Sequence, residues 1–445
     1  MTYQEALEWL YSFIDYGVKR SYRYSPEVFD LARVRELLAS LGDPQERYPT
    51  IHIAGTKGKG STAAMISSGL RAAGYTTGLY SSPHLIDFTE RIQIDGEQIS
   101  ESEFVGLVDR LKSNVDAIPE ISTYELATAL GFMYFADRPV DCAVIEVGLG
   151  GRLDATNVIQ PLVSVITSLS YDHTHLLGDS LSDIAAEKAG IIKSETPVVL
   201  APQQLEADLV VRSIAEERNS PVVQINRDWH YVATDRSFDG QTFQVWRAGE
   251  DSTRVELSIP LLGHHQVQNG AVAYVSLQSV SGRGLPMDLQ QIQEGLAGTE
   301  WAGRFQVLAH EPTIVIDSAH NRESALKLRI ALDDYFPERP ITMVFGASSD
   351  KDVRGMFLEL APRVSRIILT RADHPRSEDP ETLARLARGF GFEAEVVEPV
   401  AVAMQQATDQ ASAEQVILAT GSLFVVGSAL AAWDSQHQAF MVHEV

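Results

Sequence analysis

The sequence is poor in cysteine. Its 445 residues contain a single one, Cys142, so an intramolecular disulfide and a metal or redox site built on paired cysteines are both excluded. Cys142 stands in the apolar run DCAVIEVG, and we interpret it as a small core residue. The hydrophobic content of 44%, with aromatic residues throughout, is typical of a packed globular protein.

Positive charge is scarce as well. Lys and Arg number 36 against 60 Asp and Glu, and the formal net charge is −24. Nucleic acids and anionic membranes are bound by surfaces with an excess of Lys and Arg, so neither is expected as the main partner. An acidic enzyme of anionic substrates must instead concentrate its few cations at the site. Each Lys or Arg near a motif therefore carries particular weight.

Long apolar runs are lacking too. The uncharged stretch at residues 415–433 approaches a membrane span in length, but Gly, Ser and Thr interrupt it. We predict a buried strand, a tight turn and a helix there. The N-terminal segment MTYQEALEWLYSF has early acidic residues and helical apolar spacing, which is not typical of a signal peptide. A soluble, cytoplasmic protein is expected.

Short β-rich apolar runs alternate with helical patterns, which predicts an α/β fold with a mostly parallel sheet covered on both faces. The helix STAAMISSGLRAAG (61–74) is predicted to begin at Ser61, just after the first strand and its glycine-rich turn, and to be closed by Gly74. Residues 226–260 alternate in polarity, which predicts a small antiparallel patch. The strand candidates of this first series are TIHIA (50–54), GLYSS (78–82), CAVIEV (142–147), VSVITS (163–168) and PVVLA (197–201).

The alternation restarts in the second half, which predicts a second, Rossmann-like α/β domain. The Gly- and Ala-rich segment 295–305 separates the two series, as is typical of a domain boundary. We therefore predict one domain over residues 1–298, with the phosphate-loop features described next, and another over 299–445. The second series comprises TIVID (313–317), ITMVFG (341–346), SRIILT (365–370) and QVILAT (415–420).

The stretch IHIAGTKGKGSTAA (51–64) has the glycines, lysine and hydroxyl of a phosphate-binding loop without its strict spacing. Gly60 separates Lys59 from Ser61, and Ile53 stands where the first glycine should be. Strand, glycine-rich turn and helix in succession can nevertheless aim backbone N–H groups and the helix dipole at a phosphate. Lys59 would neutralise phosphate oxygens and Ser61 could bind magnesium. An ordinary glycine-rich turn is the alternative.

Polar residues follow two other predicted strands. Glu146 ends CAVIEV, and Asp172 and His173 follow VSVITS, so all three are expected at the carboxyl edge of a parallel sheet. Glu146 could hold a nucleotide-bound metal and His173 could be a metal ligand. Considered alone, each residue also has a purely structural interpretation. Glu146 could be a carboxylate that caps the strand end or lies on the surface, and His173 could be a hydrogen-bonding loop residue. Lys188 lies in the helical segment EKAG, and we interpret it as a solvated charge, as is usual for a lone helical lysine.

The second half offers two similar strand-to-helix turns. Asp317 ends the strand of IVIDSAHN, with His320 and Asn321 just beyond it, and Lys351 lies between two aspartates in FGASSDKD. Small ligands bind at such turns in open α/β sheets, although each residue alone is as well explained as a helix cap.

Taken together and in order, these segments resemble the folylpolyglutamate synthase and dihydrofolate synthase family, relatives of the Mur ligases. The family loop GT-x-GKGS has the extra glycine before the serine, and it matches residues 55–61. The odd spacing is therefore similar to the family's own. The other matching segments lie at residues 79–96, 122–136, 146–157, 172–193, 262–269, 301–305, 317–321 and 420–427.

The resemblance implies a ligase. ATP would phosphorylate a folate carboxylate, and the amine of L-glutamate would attack the acyl phosphate to form an amide. It implies a Mur-ligase-type ATP-binding domain followed by a glutamate-ligase domain, magnesium or manganese as the metal, and a cytoplasmic monomer. The acceptor stays open between tetrahydrofolate and dihydropteroate. A Mur-like ligase with another acceptor and an ATPase without ligase activity are the alternatives.

The resemblance also assigns roles by motif. It places Lys59, Lys188 and His173 in catalysis, with Lys188 carboxylated by carbon dioxide. Metal ligation falls to Ser61, Glu146, His173 and Lys188, and the folate-side substrate loop is Ser82, Pro83 and His84. The residues implied for ATP are Gly55, Thr56, Lys57, Gly58, Lys59, Gly60, Ser61, Asn269, Arg304, Asp317 and His320.

Four positions depart from the family pattern. Lys57 replaces the Asn of most bacterial members, Ser318 replaces Gly, Ala302 replaces Pro and Gly270 replaces Ala. None removes a charged or metal-binding group, so the departures bear on substrate preference rather than on activity.

Overall fold

The computed structural model describes residues 1–14, 25, 28–115 and 118–442. The chain divides into two compact units. Unit 1 comprises Met1–Asp235, Thr242–Pro260 and Gln266–Glu300, and unit 2 comprises Arg236–Gln241, Leu261–His265 and Trp301–Val445. The domain boundary predicted between residues 298 and 299 remains a prediction, because the two compact units are defined by contacts within the chain.

Unit 1 is built on an eight-stranded sheet of order β4-β3-β2-β5-β1-β6-β7-β8. The six strands from β2 to β8 in that order are parallel, and β3 and β4 join antiparallel at one edge. The mostly parallel sheet predicted for this part of the chain is therefore confirmed. The strands are β1 Thr50–Ala54, β2 Thr77–Tyr80, β3 Ile92–Ile94, β4 Glu97–Gln98, β5 Cys142–Glu146, β6 Val163–Ile166, β7 Val198–Leu200 and β8 Val222–Gln224.

The central strands are apolar because helices cover the sheet. All five residues of β1 and all five of β5 are buried, Cys142 among them, as is typical of parallel sheets. The helices of this part of the chain are α1 Tyr3–Tyr11, α2 Leu31–Ser40, α3 Lys59–Ala72, α4 Glu101–Val115, α5 Thr123–Asp137, α6 Thr174–Leu177, α7 Leu181–Ala189, α8 Leu205–Glu217, α9 His264–Ser281 and α10 Leu289–Ala297.

The strands predicted around residues 226–260 form a separate three-stranded sheet of order β11-β10-β9. They are β9 Trp229–Ser237, β10 Gly240–Arg247 and β11 Val255–Ile259. Two residues connect β9 to β10, and a connection this short joins antiparallel strands only. Three short 3₁₀ helices, Pro44–Glu46, Phe88–Arg91 and Ala155–Val158, lie in loops of unit 1.

Unit 2 contains a six-stranded sheet of order β12-β13-β17-β14-β15-β16, parallel except for the edge strand β12. This confirms the second α/β unit. Its strands are β12 Gln306–His310, β13 Thr313–Ile316, β14 Ile341–Phe345, β15 Val364–Leu369, β16 Glu393–Val396 and β17 Val416–Thr420, and its helices are α11 Arg322–Tyr335, α12 Val353–Leu360, α13 Pro380–Gly389, α14 Val400–Asp409 and α15 Leu423–Val442.

The uncharged stretch 415–433 folds as predicted. It supplies β17, a turn and the start of α15, and β17 is buried along its whole length. None of the helices in the described part of the chain is long and apolar enough to cross a membrane.

The core of unit 2 depends on Phe357 of α12. Its ring is fully buried and packs against Phe345, Phe390 and Phe392 at centroid distances of 4.9, 5.9 and 5.5 Å. We expect Phe357→Ala to lower the free energy of unfolding by about 3–5 kcal/mol through lost burial and a residual cavity. Urea unfolding checks this, with the neighbouring Leu358→Ala as control because Leu358 is 49% exposed. Equal effects of the two substitutions would contradict the packing argument.

Candidate active site

The glycine-rich loop lies at the carboxyl end of β1, in the middle of the sheet, and leads directly into α3. Gly58 is the left-handed N-cap of α3, with φ +89°. A side chain at Gly55 would meet the Thr167 hydroxyl at 1.8 Å, and one at Gly58 would meet the Asn269 amide at 2.3 Å. Both glycines are therefore required by close packing as well as by their backbone angles.

The helix starts earlier than the sequence pattern indicates. We predicted its start at Ser61, after the loop, but α3 begins at Lys59. The first backbone bond of the helix is donated by Thr62 to the Gly58 carbonyl. The N–H groups of residues 59–61 therefore lie in the first turn, where a helix leaves its donors for an anion.

Lys59 and Glu146 approach each other at the end of neighbouring strands. Ile53 of β1 is in register with Glu146 of β5, so Glu146 reaches the same sheet edge as the loop. Lys59 Nζ lies 3.8 Å from Glu146 Oε1, and the backbone N–H of Ser82 donates to Glu146 Oε2 at 3.3 Å. Glu146 and Ser61 are each only 4% exposed. One buried carboxylate thus joins the glycine-rich loop to the loop that carries Ser82.

Lys188 is buried, so its interpretation as a solvated charge is wrong. It is 5% exposed and its Nζ donates to the carbonyl of Gly55 at 2.9 Å. Burial, together with the nearby positive charge of Lys59, lowers the pKa of Lys188 to about 7. The helical spacing could have indicated this burial. Lys188 continues the buried stripe of α7 formed by Leu181, Ile184 and Ala185.

His173 follows β6, as the sequence predicts, and precedes α6 in the left-handed conformation with φ +50°. Its side chain is 41% exposed and its Nε2 lies 3.9 Å from Asp172 Oδ1. Among the described residues no three His, Cys, Asp or Glu side chains are grouped as a metal site. The predicted set contains only two such residues, Glu146 and His173, and otherwise relies on Ser61 and Lys188.

The substrate loop predicted at residues 82–84 directly follows β2, the neighbour of β5. His84 Nδ1 accepts a hydrogen bond from Arg91 Nε at 2.9 Å, so a neutral His84 carries its proton on Nε2. Arg91 was not singled out by the sequence analysis. Its position in the 3₁₀ helix Phe88–Arg91 could not be read from spacing.

Asp154 is a second residue that sequence reasoning missed. Its carboxylate accepts from the backbone N–H groups of Gly148 and Leu149 at 3.1 and 2.9 Å, and from the Thr156 hydroxyl. Burial raises the pKa of Asp154, while these hydrogen bonds favour the charged form. The carboxylate therefore shapes the glycine-rich turn that follows Glu146.

The residues predicted to contact ATP outside the glycine-rich loop are divided between the two units. Asn269 lies on α9 in unit 1, where its amide donates to Gln266 Oε1 at 2.9 Å. Arg304, Asp317 and His320 belong to unit 2.

The unit 2 residues surround the end of β13. Asp317 is buried and accepts backbone hydrogen bonds from Phe305 and Ala319 at 2.9 Å each, and burial raises its pKa to about 6. His320 Nδ1 donates to the Ser318 carbonyl at 2.9 Å, which leaves Nε2 of a neutral ring as an acceptor. Arg304 donates to the Gly303 carbonyl at 3.1 Å.

Two of the departures have local structural reasons. The Ser318 hydroxyl donates to the Gly303 carbonyl at 2.9 Å, so the serine is hydrogen-bonded in place. A side chain at Gly270 would lie 2.8 Å from the ring of Phe243, so the larger neighbour requires glycine. Nothing in the structure explains Ala302.

We expect Gly55→Ala to weaken nucleotide binding at least tenfold, because its Cβ would displace the Thr167 side chain and the loop with it. Calorimetric titration with ADP measures this. Gly74→Ala is the matched control, since Gly74 also has a positive φ but no atom lies within 4 Å of its added Cβ. Unchanged ADP affinity in Gly55→Ala would show that this loop does not form the nucleotide site.

Comparison with known proteins identifies the family. The Mur ligase middle domain matches residues 53–277, and the Mur ligase glutamate ligase domain matches residues 303–423. The chain is 35% identical to the dihydrofolate synthase/folylpolyglutamate synthase of Bacillus subtilis (strain 168) over 382 residues, which is 84% of this chain and 86% of that protein.

Solved structures of members of this family resemble the chain over nearly its whole length. The Mycobacterium tuberculosis folylpolyglutamate synthase complexed with ADP is 31% identical, with a TM-score of 0.86 and coverage of 97% of this chain and 98% of that one. The E. coli FolC in complex with DHPP and ADP is 29% identical, with a TM-score of 0.86 and coverage of 98% and 99%. The chain therefore belongs to the folylpolyglutamate synthase/dihydrofolate synthase family of Mur ligases.

Proposed function

We propose that this protein is an ATP-dependent ligase that joins L-glutamate to a folate through an amide bond. The observation that carries the proposal is the convergence on Glu146, which lies 3.8 Å from Lys59 and accepts the Ser82 backbone N–H. A phosphate-binding loop and the predicted folate loop thus share one carboxylate. Membership of the family supports the same activity, and the solved relatives bind ADP and, in the E. coli protein, DHPP.

The reaction needs activation because a carboxylate is a poor electrophile. Transfer of the ATP γ-phosphoryl group to the folate carboxylate gives an acyl phosphate, from which the L-glutamate amine displaces phosphate. Lys59 and the N–H groups of the first turn of α3 would stabilise the charge on the transferring group. Gly55 is buried and residues 56–60 are partly buried, which lowers the local dielectric constant and strengthens these interactions.

A divalent metal fits the residues present. Ser61 offers a hydroxyl and Glu146 a buried carboxylate, which are oxygen ligands of the kind magnesium prefers. When bound, the metal would neutralise charge on the β- and γ-phosphates. His173 would serve a second metal, where manganese suits an imidazole better than magnesium does.

Carboxylation of Lys188 is part of the proposal. Carbon dioxide reacts with a neutral amine, and burial together with Lys59 lowers the pKa of Lys188 to about 7, so the neutral amine is well populated at neutral pH. The amine nitrogen would bond to the carbon of CO₂ and lose a proton. A carbamate there changes a cation into an anion beside Lys59, which favours both metal binding and the local charge balance.

Asn269, Arg304, Asp317 and His320 would contact ATP, and Ser82, Pro83 and His84 the pteridine-bearing substrate. We propose that the protein acts as a monomer. Dihydropteroate is the second acceptor to be considered, because the Bacillus subtilis relative is named for both activities.

The activity assay measures ADP release with ATP, magnesium and L-glutamate, in parallel with tetrahydrofolate, dihydropteroate or no acceptor. We expect a product heavier by one glutamyl residue with tetrahydrofolate. Lys59→Ala should lower the rate at least about 100-fold, because it removes a cation from the transferring phosphoryl group. Lys112→Ala is the control, since Lys112 lies on α4 and packs over the ring of Trp9 on α1.

The reactions with different acceptors distinguish a polyglutamate synthase from a bifunctional enzyme and from an ATPase. Mass gain on both acceptors would show a bifunctional enzyme, and full turnover in Lys59→Ala would contradict the role of the loop. ADP release without any acceptor and without a new amide would overturn the ligase in favour of an ATPase.

The Lys188 carbamate has its own test. We expect Lys188→Ala to lose ligase activity and to regain part of it with added acetate or another short carboxylic acid, which would replace the missing carboxylate in the cavity left behind. Mass spectrometry of the intact wild-type protein with ¹³C-labelled CO₂ provides a second readout. No rescue at any acid concentration, with no labelled adduct, would contradict carboxylation.

A further inference from the structure

Lys57 forms a close ion pair that the resemblance does not account for. Its Nζ lies 2.7 Å from Asp172 Oδ2, and each side chain is only 14% exposed. By motif Lys57 is a residue of the nucleotide loop, so a contact with phosphate would be the simplest role. The structure instead directs its ammonium to a carboxylate 115 residues further along the chain.

The ion pair continues a series of contacts between two segments. The backbone N–H groups of Thr56 and Lys57 both donate to the Ser168 carbonyl, at 2.9 and 3.1 Å. The Thr56 hydroxyl donates to the Ser170 carbonyl and accepts from the Ser170 N–H, each at 3.2 Å. These contacts attach the glycine-rich loop to residues 168–170, and the pair with Asp172 attaches the next part of that segment.

The Asp172 carboxylate binds both Lys57 and His173. While Oδ2 binds Lys57, Oδ1 accepts the backbone N–H of His173 at 3.0 Å and lies 3.9 Å from its Nε2. His173 adopts the left-handed conformation, with φ +50°, which is unfavourable for a residue with a side chain. A bond at its backbone N–H helps to hold it in that conformation.

Breaking a partly buried ion pair removes a counter-charge from its remaining member. Removal of the Lys57 ammonium would take away the ion pair at Asp172 Oδ2, and the carboxylate would shift together with the His173 segment bonded to it. The backbone contacts of Thr56 do not depend on the Lys57 side chain, so the loop itself would be kept. Removal of the Lys57 ammonium would therefore change the position of His173 and leave the fold intact.

We propose that Lys57 is a positioning residue, which fixes His173 through Asp172 and thereby raises the affinity of the site for a divalent metal. It is not a phosphate ligand in this role. The inference rests on the proposed function, in which His173 binds a metal.

The sign of the effect separates this role from simple electrostatics. A cation near a metal site repels the metal, so removal of Lys57 should strengthen metal binding if its charge alone matters. If Lys57 positions His173, its removal should weaken metal binding instead. Loss of a residue that orients a metal ligand typically reduces affinity by about 10- to 100-fold.

The test compares Lys57→Met, Asp172→Asn and the double variant in the full-length protein. Calorimetry measures Mn²⁺ affinity in the presence of ADP, and ADP affinity in excess chelator. We expect each single substitution to weaken Mn²⁺ binding about 10- to 100-fold, and the double variant to be no weaker than the weaker single variant. In Lys57→Met the loss of Mn²⁺ affinity should exceed any loss of metal-free ADP affinity, because the positioning role acts on the metal ligand.

Lys57→Arg, which keeps a cation for Asp172, should recover most of the Mn²⁺ affinity. Arg110→Met is the matched control, because it breaks an ion pair with Asp137 that is exposed on α4 and α5. Unchanged or tighter Mn²⁺ binding in Lys57→Met would overturn the proposal, as would losses of Mn²⁺ affinity and of metal-free ADP affinity that are equal in Lys57→Met. Failure of the proposed function is distinguished separately, by the lack of acceptor-dependent ADP release in the wild-type protein.

Discussion

The site depends on the parallel alignment of β1 with β5 on one side and β6 on the other. Ile53 is in register with both Glu146 and Val165, so the three strands end at nearly the same level. Whatever follows each strand therefore arrives at one edge of the sheet. The glycine-rich loop, the carboxylate of Glu146 and the segment that carries Asp172 meet there, although they are far apart in the chain.

The same edge concentrates positive charge in an acidic protein. Formal net charge is −24, yet Lys57, Lys59 and Lys188 influence one another closely enough for the first two to lower the pKa of the third. Lys57 has a partner at 2.7 Å, whereas Lys59 and Glu146 are 3.8 Å apart and Lys188 bonds to a carbonyl. A polyphosphate would provide the anionic charge that this edge can still accept.

The sequence was informative about strands and about residues that directly follow them. Glu146 could be placed at the sheet edge because an apolar run ends there, and the order of the strand candidates predicted the mostly parallel sheet. Long-range side-chain partners could not be predicted in this way. The contact of Lys57 with Asp172 spans 115 positions, and no local pattern specifies it. Burial of Lys188 was different, since its place on the apolar stripe of α7 was visible in the spacing and was outweighed by its charge.

The unusual spacing of the loop follows from where α3 begins. With Gly58 as N-cap, Lys59 and Ser61 are the first and third residues of the helix, about 200° apart around its axis at 3.6 residues per turn. In the strict pattern the lysine and the hydroxyl are adjacent, about 100° apart. The inserted Gly60 therefore widens the angle between the Cβ directions of the lysine and the serine around the helix axis. Lys59 still approaches Glu146 at 3.8 Å and Ser61 is almost fully buried, so the altered spacing keeps both the cation and the hydroxyl within the first turn, where the unpaired N–H groups of the helix lie.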